Sequence, residues 1–142
     1  MRTTPGAGGS TPMILNSGGL TVNGAFVSAS DRNVKENFAP VQPGEVLAKV
    51  VALPLSSWNF KTDPATPHVG PMAQDFYAAF GTGTDERHIA TVDADGVALA
   101  AIQGLNQKHE AEVKSKDARI AELEQRLEKL EQLMNRENGG AR

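Results

Sequence analysis

A serine hydroxyl and a lysine amine, Ser30 and Lys35, stand five residues apart in the stretch SASDRNVKENF, residues 28–38. Together such groups can cleave an amide. The lysine removes the hydroxyl proton, provided that burial or neighbouring charge brings its pKa towards neutrality, and the serine oxygen attacks a carbonyl. A Ser-Lys pair is one variant of the serine-nucleophile arrangement. Five residues is not a helical contact spacing. The pair therefore meets only if the backbone turns between its members, which Asp31-Arg32-Asn33 allows. The competing reading is a surface serine closing a turn beside a solvated lysine.

Other candidate chemistry is weaker. Asp93-Ala94-Asp95-Gly96 begins like a calcium loop, yet the twelfth position, which must be a bidentate carboxylate, is Gly104. It reads instead as a helix start, with Asp93 or Asp95 capping the helix that carries Leu99. His68, His88 and His109 share no metal-ligand spacing and no cysteine assists them, so neither a metal nor a cofactor is expected. Gly81-Thr82-Gly83-Thr84 lacks the lysine and the strand-to-helix context of a phosphate loop, and reads as a helix stop followed by a loop.

The elements that must position the pair come from a chain of 142 residues with net charge −3. That charge gives no broad attraction to nucleic acid or to anionic lipid. The absence of cysteine leaves the redox compartment open. Arg2 is followed by Thr, Pro and Gly rather than an apolar run, so no secretory signal is read there. No stretch of 18 apolar residues suggests membrane insertion. About 65–70 residues are left for a globular core, too few to be comfortable alone, so oligomerisation is expected.

The expected organisation is α+β in four zones. Residues 1–29 are rich in Gly, Ser and Thr, and Asn16-Ser17-Gly18-Gly19 separates Met13-Ile14-Leu15 from the alternating Leu20, Val22, Gly24 and Phe26. This reads as two short strands, too little to be stable unaided and so part of a β stem shared between chains. Residues 30–98 form a small mixed core. Its first helix carries Val46, Leu47, Val50 and Val51 on one face and stops before Pro54, and its strand covers residues 55–61 with Trp58 and Phe60 at period two. A second helix has Met72, Phe76 and Phe80 four apart and Gly81 as its stop; the stretches 62–71 and 81–90 read as polar loops.

Residues 99–136 carry the clearest pattern. Leu99, Ile102, Asn106, His109, Val113, Lys116, Ile120, Leu123, Leu127, Leu130 and Met134 follow at alternating steps of three and four, five heptads of a coiled coil. Arg119 and Arg126 fall at g positions, and Glu124 and Glu131 five residues later at e positions, which suits parallel neighbours in register. Asn106, His109 and Lys116 interrupt the seam, costing stability but penalising slipped arrangements. The pattern fits two strands or three. Residues 137–142 read as a disordered tail. A basic-zipper DNA-binding reading fails, because the segment preceding the seam, VDADGVALAAIQGLNQKHEAEVKSK, has no dense basic run.

Read together, SDRNVKENF, LPLSSWNFK, HVGPMAQDF, VDADGVALAAIQGLNQ and the terminal coiled coil resemble the endosialidase-type C-terminal intramolecular chaperone domain, a self-cleaving peptidase family. These domains end phage tailspikes, tail fibres and bacterial surface fibre proteins. The resemblance runs from about Ala25 to Gln107. It implies a homotrimer that brings three chains of an upstream fibre or tailspike into register and then cuts itself off. By its S-D-x-x-x-K motif the cut falls between Ala29 and Ser30, with Ser30 as nucleophile and Lys35 as general base. The match of HVGPMAQ to the family's H-x-G-x-x-A-Q block implies that His68 and Gln74 lie near the site. Asp31 and Asn33, inside the motif, are further supporting candidates. The implied location is a phage virion or a bacterial cell surface, and the implied partners are other copies of the chain and its own upstream segment, not nucleic acid. Two rivals remain: a trimerisation cap that does not cleave, and an adhesin tip that binds a glycan or protein through the TDPATPH and GTGTDER stretches.

Overall fold

The computed structural model describes residues 13–16 and 19–139, which form two small antiparallel sheets and three α-helices. Strand β1, Met13–Asn16, pairs with β2, Gly19–Val22, with Met13 opposite Val22 and Asn16 opposite Gly19. The middle of the expected turn, residues 17–18, lies outside the described residues. Strand β2 is shorter than the alternation suggests. It stops at Val22, and Gly24, at φ 149°, turns the backbone into a region that side chains disfavour. Met13, Ile14, Leu15 and Leu20 are all exposed, while Val22 is half-buried.

The chain divides into two units: the residues up to Pro40 together with Leu53–Asp93, and Val41–Ala52 together with Ala94 onward. In the first unit, β3, Ser56–Phe60, pairs with β4, Asp63–Gly70. Ser56 faces Gly70 and Trp58 faces His68, and the register then shifts before Phe60 meets Asp63. Residues 63–70 thus form a strand where the sequence suggested a loop. Pro64 and Pro67 donate no ladder hydrogen bond, but in a two-stranded sheet both strands are edges, where proline is tolerated. Helix α2, Ala73–Phe80, follows the expected pattern. The left-handed Gly81, φ 63°, returns its amide to the Tyr77 carbonyl at 2.8 Å and ends the helix. Phe76 is its buried residue, 4% exposed, with its ring 4.9 Å from that of Phe80.

The second unit is helical. Helix α1, Pro43–Ala52, opens on a proline, whose fixed φ suits the first turn. Val46, Leu47 and Val50 are half-buried, whereas Val51 is 77% exposed. The expectation that Val51 shares their face is corrected: at about 100° per residue it falls beyond the stripe that the other three define. Helix α3, Thr91–Gly139, spans 49 residues. It begins before the acidic pair, so Asp93 lies in its first turn and is not its cap; the Asp93 amide already bonds the Ala90 carbonyl at 3.0 Å. Along α3, Ala101 and Gly104 are buried. A Cβ added at Gly104 would collide with the Pro43 carbonyl and stand 3.0 Å from Leu47 Cβ, so the missing side chain is what lets the start of α1 approach α3.

Beyond that contact α3 carries its apolar stripe bare. Its a and d residues range from 41% exposed at Val113 to 64% at Leu99, and Leu105 and Leu133, at g positions, are exposed as well. Arg119 and Arg126 each reach Glu122 at 2.6 Å on their own helix, leaving Glu124 and Glu131 outside those pairs. Among the described residues no helix is long and apolar enough to cross a membrane.

Candidate functional site

The segment after Ala29 explains how residues five apart meet. Asp31, in extended conformation, caps a single 3-10 turn, Arg32–Val34. Its carboxylate accepts from the Asn33 amide at 2.9 Å and from the Asn33 side chain at 3.0 Å. The Val34 amide bonds the Asp31 carbonyl at 3.3 Å, and the Lys35 amide bonds the Arg32 carbonyl at 3.2 Å. This tight turn doubles the chain back. Lys35 Nζ then donates to Ser30 Oγ at 2.7 Å. Asn37, in the left-handed region at φ 56°, leads the backbone away afterwards, and asparagine tolerates that conformation better than most residues. Ser30, Asp31, Asn33 and Lys35 are all exposed in the single chain.

His68 and Gln74 belong to a second cluster. The His68 ring stacks on Trp58 across the β3–β4 pair, centroids 4.7 Å apart, and Phe60 meets both rings edge-on. Trp58 Nε1 lies close to Gly70 and is buried without a hydrogen-bond partner. An orphaned donor of this kind costs about 1–3 kcal/mol. Gln74, at the start of α2, lines an open cavity of about 520 Å³ with Trp58, Phe60, Met72, Arg87 and His88. Among the described residues no hydrogen bond or ring contact joins this cluster to Ser30 or Lys35.

One feature of this cavity had a weak sequence signal, an aspartate three residues before a histidine. Asp85 Oδ1 accepts from the Arg87 amide at 2.7 Å and lies 2.9 Å from His88 Nδ1. The Arg87 amide first, and then the His88 ring, hold the Asp85 carboxyl below its ordinary value of 3.8. The pair orients the His88 ring and leaves its Nε2 free to act. Of the seam residues, Leu99, Ile102, Asn106, His109, Val113, Ile120, Leu123, Leu127 and Leu130 all lie on α3 and are exposed. Asn106 donates to Glu110 at 2.8 Å. Among the described residues of one chain, no three His, Asp or Glu side chains converge to hold a metal.

Residues 30–83 match the family model described as chaperone of endosialidase. The match opens on Ser30 and takes in Lys35, His68 and Gln74, and it stops short of Asp85, His88 and α3. No curated protein matches the chain.

Proposed function

We propose that this chain is an endosialidase-type intramolecular chaperone that cleaves itself between Ala29 and Ser30 once assembled, a reading supported by the match of residues 30–83 to the family model described as chaperone of endosialidase. The single observation that carries this reading is the 2.7 Å contact between Lys35 Nζ and Ser30 Oγ. In the reactive state the neutral amine of Lys35 takes the Ser30 hydroxyl proton while Oγ adds to the Ala29 carbonyl carbon. Collapse of the tetrahedral adduct breaks the Ala29–Ser30 amide, and the Ser30 nitrogen leaves as an amine carrying a proton. Water hydrolyses the ester that remains, giving an Ala29 carboxylate and a free Ser30 N-terminus.

Assembly supplies what the single chain lacks. Ser30 and Lys35 are exposed, and a solvated lysine is a poor base at neutral pH, so a neighbouring chain must exclude water from the pair. The same requirement follows from the core, because Phe76 and Ala101 are the buried hydrophobic residues among those described. A domain this small needs more. The α3 stripe is the assembly surface, and exposed Leu105 and Leu133 at g broaden it beyond a narrow two-stranded seam, in favour of a homotrimer. Unpartnered Trp58 Nε1 finds its acceptor in the same assembly. His68 and Gln74 act by shaping the wall that closes over the pair.

In this reading the chain is an intramolecular chaperone. Intertwined β stems have high contact order and slow register searches, whereas parallel helices nucleate locally and hold three chains together at one end. Cleavage afterwards separates the stem from the part that assembled it, so the fibre is retained by a kinetic barrier. Intact-mass measurement of the assembled chain beside Ser30→Ala is the test. Loss of residues 1–29 in the unaltered chain alone supports the reading. If both stay whole as trimers, the catalytic role falls and the exposed Ser30–Lys35 pair belongs to a non-cleaving trimerisation cap.

A further inference from the structure

Among the described residues of one chain no three His, Asp or Glu side chains converge to hold a metal, and in a parallel trimer that changes. His109 occupies a d position between the Asn106 and Val113 layers. Its side chain is exposed on α3, on the stripe that carries Leu99, Ile120 and Leu130. In three parallel strands in register each d layer brings three copies of one side chain to the common axis. We infer that three His109 imidazoles, one from each chain, form a binding site for a divalent transition metal such as zinc.

The inference rests on the trimer proposed above, because no single chain contains the site. Three neutral imidazoles are a donor set that zinc and cobalt accept, with metal-to-nitrogen distances of about 2.0–2.1 Å and a fourth position left for water or another small ligand. Each chain contributes one ligand, so the stoichiometry is fixed at one metal for three chains. Asn106, one layer towards the N-terminus, is already engaged by Glu110 at 2.8 Å. Its amide is thus drawn towards the flank of the helix. Glu110 itself lies beside His109 at an e position, where its carboxylate is suited to accept the N–H of an imidazole whose other nitrogen holds metal. Lys116 is the next d residue, two layers on, and its three ammonium groups disfavour a cation at their own level.

A bare histidine layer weakens an apolar seam, and the metal reverses that cost by tying the three chains together. A ligand held only by the trimer stabilises it by mass action, so bound metal strengthens an assembly that the apolar layers already form.

The test uses the full chain and cobalt(II) chloride, whose visible absorption reports nitrogen coordination, after the oligomer mass has been measured by light scattering. A trimer binding one cobalt per three chains, displaced by zinc, is the expected result. His109→Leu, which fills the d layer with an apolar side chain and so keeps the coil, should remain trimeric and bind cobalt at least tenfold more weakly. A trimer that binds no cobalt at this ratio, or a His109→Leu trimer that binds as well as the unaltered chain through His68 or His88, overturns the site and leaves the trimer standing. A monomer or dimer mass removes both.

Discussion

The Ser30–Lys35 turn and the α3 stripe are both exposed, but they are unfinished in different ways. The turn is complete as geometry: an aspartate cap, two backbone hydrogen bonds and one side-chain contact fix it within residues 30–35. It lacks only an environment. The stripe lacks its partners altogether. Its apolar residues have nothing to cover them in one chain, and its arginines fall back on Glu122 of their own helix. A site built from near neighbours in sequence can be correct before assembly, whereas an interface cannot. In the proposed function, coupling the two would make chemistry wait for assembly.

The sharpest way to break this coupling is to remove the seam. Leu123→Asp with Leu127→Asp should abolish the trimer, seen as a monomer mass by light scattering, and cleavage should stop although the Ser30–Lys35 turn is untouched. Cleavage by that monomer would show the turn to be self-sufficient. Lys35→Met should produce the converse: a trimer of unchanged mass whose chains stay whole. Gly104→Val tests the buried contact inside the second unit. With the Pro43 carbonyl in the way of a new Cβ, overpacking should cost about 1–3 kcal/mol and lower the thermal midpoint without changing the trimer mass.

Smaller effects probe the local turn itself. Asp31→Ala removes the acceptor for both Asn33 donors, and cleavage should slow several-fold while the N-terminus generated is still Ser30. The least effect is expected at Asp85. Its carboxyl is held below 3.8 by contacts of the folded loop, so the small contribution is fully present above that value and is lost as pH falls through the lower folded value. Amide shifts of Arg87 and His88 should follow that loss at acid pH, and Asp85→Asn should abolish the titration.

Much of this was legible from residue order. Gly81 announced the end of α2, Pro54 the limit of α1, and the three-four spacing from Leu99 announced α3, because each depends on dihedral preferences and periodicity that a few residues carry. Strand β4 was not legible, since the prolines that argue against a strand are harmless at an edge and only pairing reveals an edge. Nor was the start of α3 at Thr91 ahead of two better capping residues. For His68 and Gln74, expected near Ser30, residue order gave no hint that the His68 ring stacks on Trp58 or that Gln74 lines the cavity beside it.

Residue order establishes that Ser30 and Lys35 have a turn-forming segment between them and that α3 has one apolar stripe, because both follow from short-range sterics and spacing. That Lys35 Nζ reaches Ser30 Oγ, that Gly104 yields its space to Pro43, and that Trp58 Nε1 is left without an acceptor are known only from the folded chain. Those outcomes depend on distances of a few tenths of an ångström between groups whose directions are fixed only after the chain has folded back on itself.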